Sequence, residues 1–283
     1  MLDNWIVWVI VYLVSAVVFA QSFKKSNRNM KNAGSLTILI EVFTFLFSIL
    51  FIPMFEFKFA TSSSIYLTLI VVAVLYSFTD RLNIEARYGL DPSTFSMLKQ
   101  LSTVFLVIFG IIFLNEEIVI KKLVGAFLII FSNILLTFKK GKIVINKYFI
   151  MSFISNLLFA IAMLINVNIS DNFNLGIYTM ITVGSPAIIL FFAEKHKVQD
   201  IIDEYNACDK KKFIIASFCW TLMLVSSVRA YQLGSVSVVA PLLTLTAILN
   251  VIYEYFIGKD KEEFIKKLFI ALLILIGVLL IKL

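Results

Sequence analysis

Glu41, Lys99, Arg229 and Glu254 are ionisable residues that stand inside otherwise apolar stretches of this chain. A charge in a lipid-embedded segment costs several kcal/mol unless it is paired or hydrated, so each of the four is a candidate functional position. Lys99 offers a point charge and Arg229 a planar fork that matches carboxylate or phosphate, so together they suit an anionic solute. Snorkelling of Lys99 to the membrane interface and structural pairing of Arg229 account for the same positions without a ligand. Glu41 and Glu254 are carboxyls of the kind that take up and release protons when partly buried, with pairing to a neighbouring helix as the alternative.

Other chemistries lack their parts. His196 is the only histidine and falls in a polar stretch, so neither a histidine-based triad nor a zinc set can be assembled from apolar segments. No glycine-rich loop ends in the GK[ST] of a phosphate cradle, which argues against ATP hydrolysis. Cys208 and Cys219 give neither a disulfide framework nor a metal spacing. No catalytic residue, metal or cofactor is therefore assigned.

The elements that position these residues follow from composition. The chain is 60% hydrophobic and 15% charged, with a mean hydropathy of +0.97, which needs lipid as its solvent. Apolar runs fall at 5–23, 36–55, 64–84, 94–114, 119–138, 148–167, 176–193, 213–232, 236–257 and 265–282. Each is long enough to cross roughly 30 Å of hydrocarbon as a helix. The runs are continuous rather than alternating with period two, so helices are expected and not a barrel. The first run lacks a basic leader segment and is expected to be retained as a helix. The stretch from Glu194 to Lys212 reads as a solvated loop. The basic residues behind the net charge of +7 sit in short clusters beside apolar runs, as membrane anchors do, and point to no nucleic acid.

The two halves of the chain resemble each other. Sliding the sequence by 145 positions places Gly89 on Gly234, Leu98 on Leu243, Glu117 on Glu262 and Lys121-Lys122-Leu123 on Lys266-Lys267-Leu268. A shift of 140 places Ser15, Phe19 and Ala20 on Ser155, Phe159 and Ala160. Two repeats are expected, 1–141 and 142–283. Five crossings is an odd number, so the repeats must lie in the membrane with opposite orientations. The fold class is all-α integral membrane: ten transmembrane helices as two inverted five-helix repeats.

Each repeat closes with an apolar helix, an acidic residue in the next turn and a helix bearing a small residue. In the first these are Phe95 to Leu114, Glu116-Glu117 and Gly125; in the second, Val238 to Ile257, Glu262-Glu263 and Gly277. With Pro241 early in its helix, the whole chain resembles the drug/metabolite transporter superfamily and its ten-helix members with two EamA-type domains. It departs from them in having Ser96 where the second repeat has Pro241, and Glu41 where a basic residue is common. The resemblance implies a central cavity lined by the first, third, fourth, sixth, eighth and ninth helices. On those helices Tyr76, Gln100, Asn156, Trp220, Ser226, Tyr231, Gln232 and Asn250 join Lys99 and Arg229 as candidate substrate contacts, each equally explained by bundle packing. Aromatic rings there can stack on a flat solute or hold a cation by the ring quadrupole.

Of the 25 Lys and Arg residues, 19 fall in stretches that follow odd-numbered helices. The positive-inside rule then puts those stretches in the cytoplasm and both termini outside. The expected protein is a secondary transporter or exporter of a small polar metabolite, amino-acid-like or anionic, working by alternating access in the cytoplasmic membrane as a monomer or homodimer. Abundant Ile, Phe, Lys and Asn fit an AT-rich bacterial genome. The alternatives are a flippase for a lipid-linked head group, or a membrane scaffold or enzyme.

Overall fold

The computed structural model describes residues 3–113, 117–139, 142–143, 145–165 and 169–282. Leu114, Glu116, Lys140, the expected repeat boundary at 141 and the expected end of the sixth run at 166–167 lie outside them. Among the described residues the regular structure is all helical apart from an antiparallel ladder of two residues a side, Phe138–Lys139 (β1) with Lys142–Ile143 (β2). Helix α1 is Trp5–Ser26, α2 Ala33–Ser48, prolonged by a 3₁₀ turn Ile49–Met54, and α3 Ser63–Gly89. The next crossing is divided into α4, Pro92–Leu98, and α5, Leu101–Phe113. There follow α6 Ile120–Thr137, α7 Lys147–Ile165, α8 Leu175–Ala193, α9 Val198–Ala207, α10 Lys210–Leu233, α11 Val236–Gly258 and α12 Lys261–Lys282. Ten of these helical stretches, counting α4 with α5 and leaving out α9, are long and apolar enough to cross a membrane.

Side-chain oxygens fix where several helices start. Asn32 accepts from the N–H groups of Gly34 and Ser35 at 2.7 and 3.1 Å, and Asp209 from that of Lys212, meeting backbone donors that the first turn leaves open. Asn174 caps α8 through Ile177 and also donates its amide to the carbonyls of Ile52, Phe55 and Glu56, tying that loop to the end of the second crossing.

Large apolar side chains such as Leu46, Leu67, Ile70, Phe127, Phe192 and Phe256 are exposed on the outside of the bundle. So wide an apolar surface needs lipid against it. The chain is a multi-pass membrane protein. Inside, α1 packs on α10, α3 on α7, α2 on α8, α6 on α12, and α5 and α11 on α7 and α1. Exchanging the first five crossings for the last five maps the α1–α10 pair onto α7–α3 and the α5–α7 pair onto α11–α1, and returns α2–α8 and α6–α12 to themselves.

Two expectations are corrected. Helix α3 continues past residue 84 to Gly89, because Ile84 and Ala86 are buried and Arg81 is neutralised by Glu85 at 2.7 Å and Glu194 at 3.0 Å; Arg81 and Arg87 are therefore helical, not loop, residues. The stretch from Glu194 to Lys212 holds the helix α9, seated by Glu204, whose carboxylate accepts from the backbone N–H groups of Lys31 and Asn32 at 3.0 and 2.9 Å.

Candidate functional site

The polar centre of the bundle is built by helical spacing on α3. Asp80, Asn83, Ile84 and Arg87 recur at intervals of three and four, which puts them on one face. Thr37, Ile40 and Glu41 do the same on α2. These two faces, with Trp220 of α10, enclose a cavity of about 10 Å³ lined by Thr37, Ile40, Glu41, Asp80, Asn83, Ile84 and Trp220, room for about one water molecule.

Glu41 is 2% exposed, and neither carboxyl oxygen has a hydrogen-bond partner among the described residues. Asp80, across the cavity, accepts a hydrogen bond from the Asn83 side chain and lies in the fields of Lys99 and Arg87. Asn83 in turn accepts from Ser155 of α7 at 2.9 Å. Arg87 lies over three rings, 4.0 Å from the centroid of Phe95, 4.8 Å from Phe19 and 5.3 Å from Trp220. Its Nε has no hydrogen-bond partner among the described residues. Asp80, Arg87 and Lys99 lie deep among protein atoms yet keep partial surface exposure, as groups facing an internal polar cleft do.

Lys99 sits at a break in its crossing. The chain between α4 and α5 tightens, Gln100 bonding back to Met97, Ser102 to Lys99 and Thr103 to Gln100, each three residues apart in place of four. The Leu98 carbonyl, freed from its own helix, accepts the Asn156 amide of α7 at 3.1 Å. Lys99 stands 5.7 Å from the centroid of Phe159, which stacks on Tyr76 with centroids 6.4 Å apart. Glu41, Asp80 and Lys99 are each seven to nine residues from the nearer end of their crossing, about 10–14 Å along the axis, a depth well inside a hydrocarbon layer of roughly 30 Å. Broken helices with polar backbone at that depth are how transporters build solute sites.

Residues 5–138 match the EamA-like transporter family. The matched stretch is just under half of the chain. No curated protein matches the chain. A solved crystal structure with 9% sequence identity aligns over 97% of this chain and 94% of the other at a TM-score of 0.56, so the ten-helix arrangement has a precedent as a fold. The matched stretch runs from α1 to α6 and holds Glu41 and Asp80, the two charged residues that line the cavity, and Arg87 and Lys99, whose charges act on Asp80.

The structure divides the candidates named from sequence. Glu41 and Trp220 line the cavity, Lys99 acts on Asp80 and shares the Phe159 ring with Tyr76, and Asn156 and Gln100 stand at the helix break. Asn250 accepts from Gln21 at 3.0 Å and donates to Ser96 at 3.2 Å, joining α1, α4 and α11. Ser226 bonds back to carbonyls of its own helix. Arg229 belongs to another group, 3.4 Å from Asp3 and 5.6 Å from the ring of Phe55, while Gln232 donates to Asp171 at 3.1 Å. Tyr231 lies within the field of Tyr12 of α1. Glu254 is at the lysine-rich end of the bundle, 3.1 Å from Lys267 and accepting from the N–H and hydroxyl of Ser93. Sequence reasoning missed Asp80 and Asn83, which fall in the last turns of the third apolar run, and Arg87, which lies beyond it; their spacing along one helical face was the available signal.

Proposed function

We propose that the chain is a secondary transporter that carries a small polar solute bearing an anionic or zwitterionic group across the cytoplasmic membrane by alternating access. The observation that carries this reading is the group of Glu41, Asp80 and Lys99 deep in the bundle beside a broken helix, with Arg87 two turns further along α3. Such charges are costly there and need a functional return. Lys99 and Arg87 offer the anion-binding donors; Trp220 and Tyr76 supply apolar walls.

The cavity is water-sized, so a solute enters only when helices part. Two inverted five-helix repeats, 1–141 and 142–283, provide the means, since nearly equivalent halves can open a shared site to either side at similar energy. The pairing of α1 with α10 and α3 with α7, which exchanges under the swap of halves, supports that division. In this reading Arg229 with Asp3, and Gln232 with Asp171, close the end opposite the lysines, which the positive-inside rule assigns to the outer face.

The test is thermal stabilisation of the detergent-purified chain by a panel of amino acids, dicarboxylates and phosphorylated metabolites. A ligand bound only by the folded state at 100 times its dissociation constant adds about 2.7 kcal/mol. Stabilisation by an anionic or zwitterionic compound, lost in both Lys99→Met and Arg87→Gln, is the expected result. Silence across the panel, or a response undiminished in both variants, overturns the reading.

A further inference from the structure

Two carboxyls share one water-sized cavity, and their surroundings are unequal. Asp80 has Asn83 as a hydrogen-bond donor and the positive fields of Lys99 and Arg87. Glu41 has no hydrogen-bond partner among the described residues and is 2% exposed. The other residues lining the cavity, Thr37, Ile40, Asn83, Ile84 and Trp220, bring no charge. The Thr37 hydroxyl is already committed to the carbonyl of Ala33 at 2.7 Å. Helix α8, which packs on α2, contributes nothing to the lining.

An isolated carboxylate in such a place costs far more than a carboxylic acid does, and two neighbouring carboxyls do not both ionise when only one is compensated. We propose that Glu41 and Asp80 form a proton-binding site in which Glu41 holds the proton while the chamber is closed and Asp80 stays ionised as partner of Lys99 and Arg87. When the helices part and water enters, the Glu41 O–H bond breaks, the proton passes to that water, and the carboxylate keeps the electron pair in a hydrated setting. Loading and closing are thereby linked, and movement of the solute is tied to movement of a proton. That last tie rests on the transporter reading; the proton site itself does not. Glu254, ion-paired with Lys267 and bonded to Ser93, plays no part in it.

The experiment needs no substrate. Infrared difference spectra are recorded on the full chain in lipid nanodiscs as the pH is stepped, together with amide hydrogen exchange of α2 and α3 corrected for intrinsic rates. The expected result is a protonated-carboxyl C=O band at neutral pH that is absent from Glu41→Gln, present but shifted in Glu41→Asp, and moved in Asp80→Asn. Protection of α2 and α3 should fall as pH rises in the native chain and stay high in Glu41→Gln, which mimics the loaded acid. A native spectrum without the band, a band that survives Glu41→Gln, or protection that falls alike in both proteins overturns the proposal. So does stabilisation by sodium over choline at fixed pH that Glu41→Gln abolishes, because the site then holds a metal cation. Failure of the metabolite panel leaves these readouts untouched, so the two ideas fall separately.

Discussion

Asn156 of α7 donates its side-chain amide to the carbonyl of Leu98, 3.1 Å away at the break between α4 and α5, while also bonding Ser152 of its own helix at 2.8 Å. The bond satisfies a carbonyl that no backbone N–H reaches, and it holds the backbone from which Lys99 projects. Leaving such a buried acceptor unpaired costs about 1–3 kcal/mol. Asn156→Leu should therefore lower the melting temperature in nanodiscs. Asn156→Asp, which keeps the shape but loses the donor, should do so too, whereas Asn156→Gln should recover part of the loss. Equal stability of all four proteins would remove the amide from any role at the break.

Lys267 is the hub of the lysine-rich end. Its ammonium lies 2.8 Å from Glu263, 3.1 Å from Glu254 and 3.4 Å from Asp91, with its side chain 11% exposed and that of Glu254 22% exposed. Removing one partner of a buried pair costs about 3–5 kcal/mol; partial solvent screening reduces that to roughly 1–3 here. Lys267→Met should be clearly destabilising, and adding Glu254→Gln should restore much of the loss, since the stranded charge goes with it. A double-mutant cycle of melting temperatures gives the coupling; simple additivity would show that the pair does not interact.

Helix α9 is held down by one carboxylate. Burial pushes the Glu204 carboxyl above its ordinary range, against the opposing pull of the Asn32 and Lys31 N–H groups and the Lys31 charge. A group whose folded value is raised adds stability at acid pH that is lost as pH climbs through that value. Protection of α9 from proteolysis should thus be greatest in mild acid and decline as the pH rises past the carboxylate range, with Glu204→Gln showing a flatter profile. A native profile that rises with pH would reverse the assignment.

The thiol at the end of α9 reports on the same docking. Burial first, and the Glu204 charge second, push Cys208 up to about 12, and its Sγ–H donates to Asn27 at 3.0 Å. At pH 8 the thiolate fraction is then on the order of a thousandfold below that of a free cysteine. In a Cys219→Ala background, maleimide should label Cys208 very slowly, and Glu204→Ala should speed the labelling by releasing the helix. Fast labelling of the native residue would show that α9 is not seated.

Hydropathy made the crossings legible because lipid demands long apolar runs, and the doubled sequence pattern around Lys121 and Lys266 marks the starts of α6 and α12, two helices that pack on each other. Lys99 and Glu41 were visible for the same reason: charge stands out against an apolar background. Asp80, in the last turns of its apolar run, and Arg87, beyond it, did not stand out, because α3 continues past that run and the rings that cover Arg87 come from α1, α4 and α10. Arg229 met the same test of isolation as Lys99, yet only three-dimensional placement separates a residue beside Asp3 from one beside Asp80. The docking of α9 is a single long-range contact, Glu204 to Lys31 and Asn32, and no local pattern encodes it.

Gly125 and Gly277 mark the closest approach in the seam of α6 with α12, where the fifth crossing of each half meets the other. A Cβ on Gly125 would lie 2.4 Å from the Gly277 carbonyl oxygen, and one on Gly277 2.8 Å from that of Gly125. Both obstacles are backbone, so relief requires the helices to separate, and small residues at such crossings are what lets membrane helices pack without a hydrophobic drive between them. Gly125→Ala should cost about 1–3 kcal/mol, as overpacking does. The double variant with Gly277→Ala should cost less than the sum, because the first methyl has already parted the helices. Gly258, with nothing within 4 Å of its added Cβ, is the control, and its alanine variant should melt close to the native chain. If Gly125→Ala melted with the native chain as well, the seam would be open enough to move, and the halves would have to turn about some other contact.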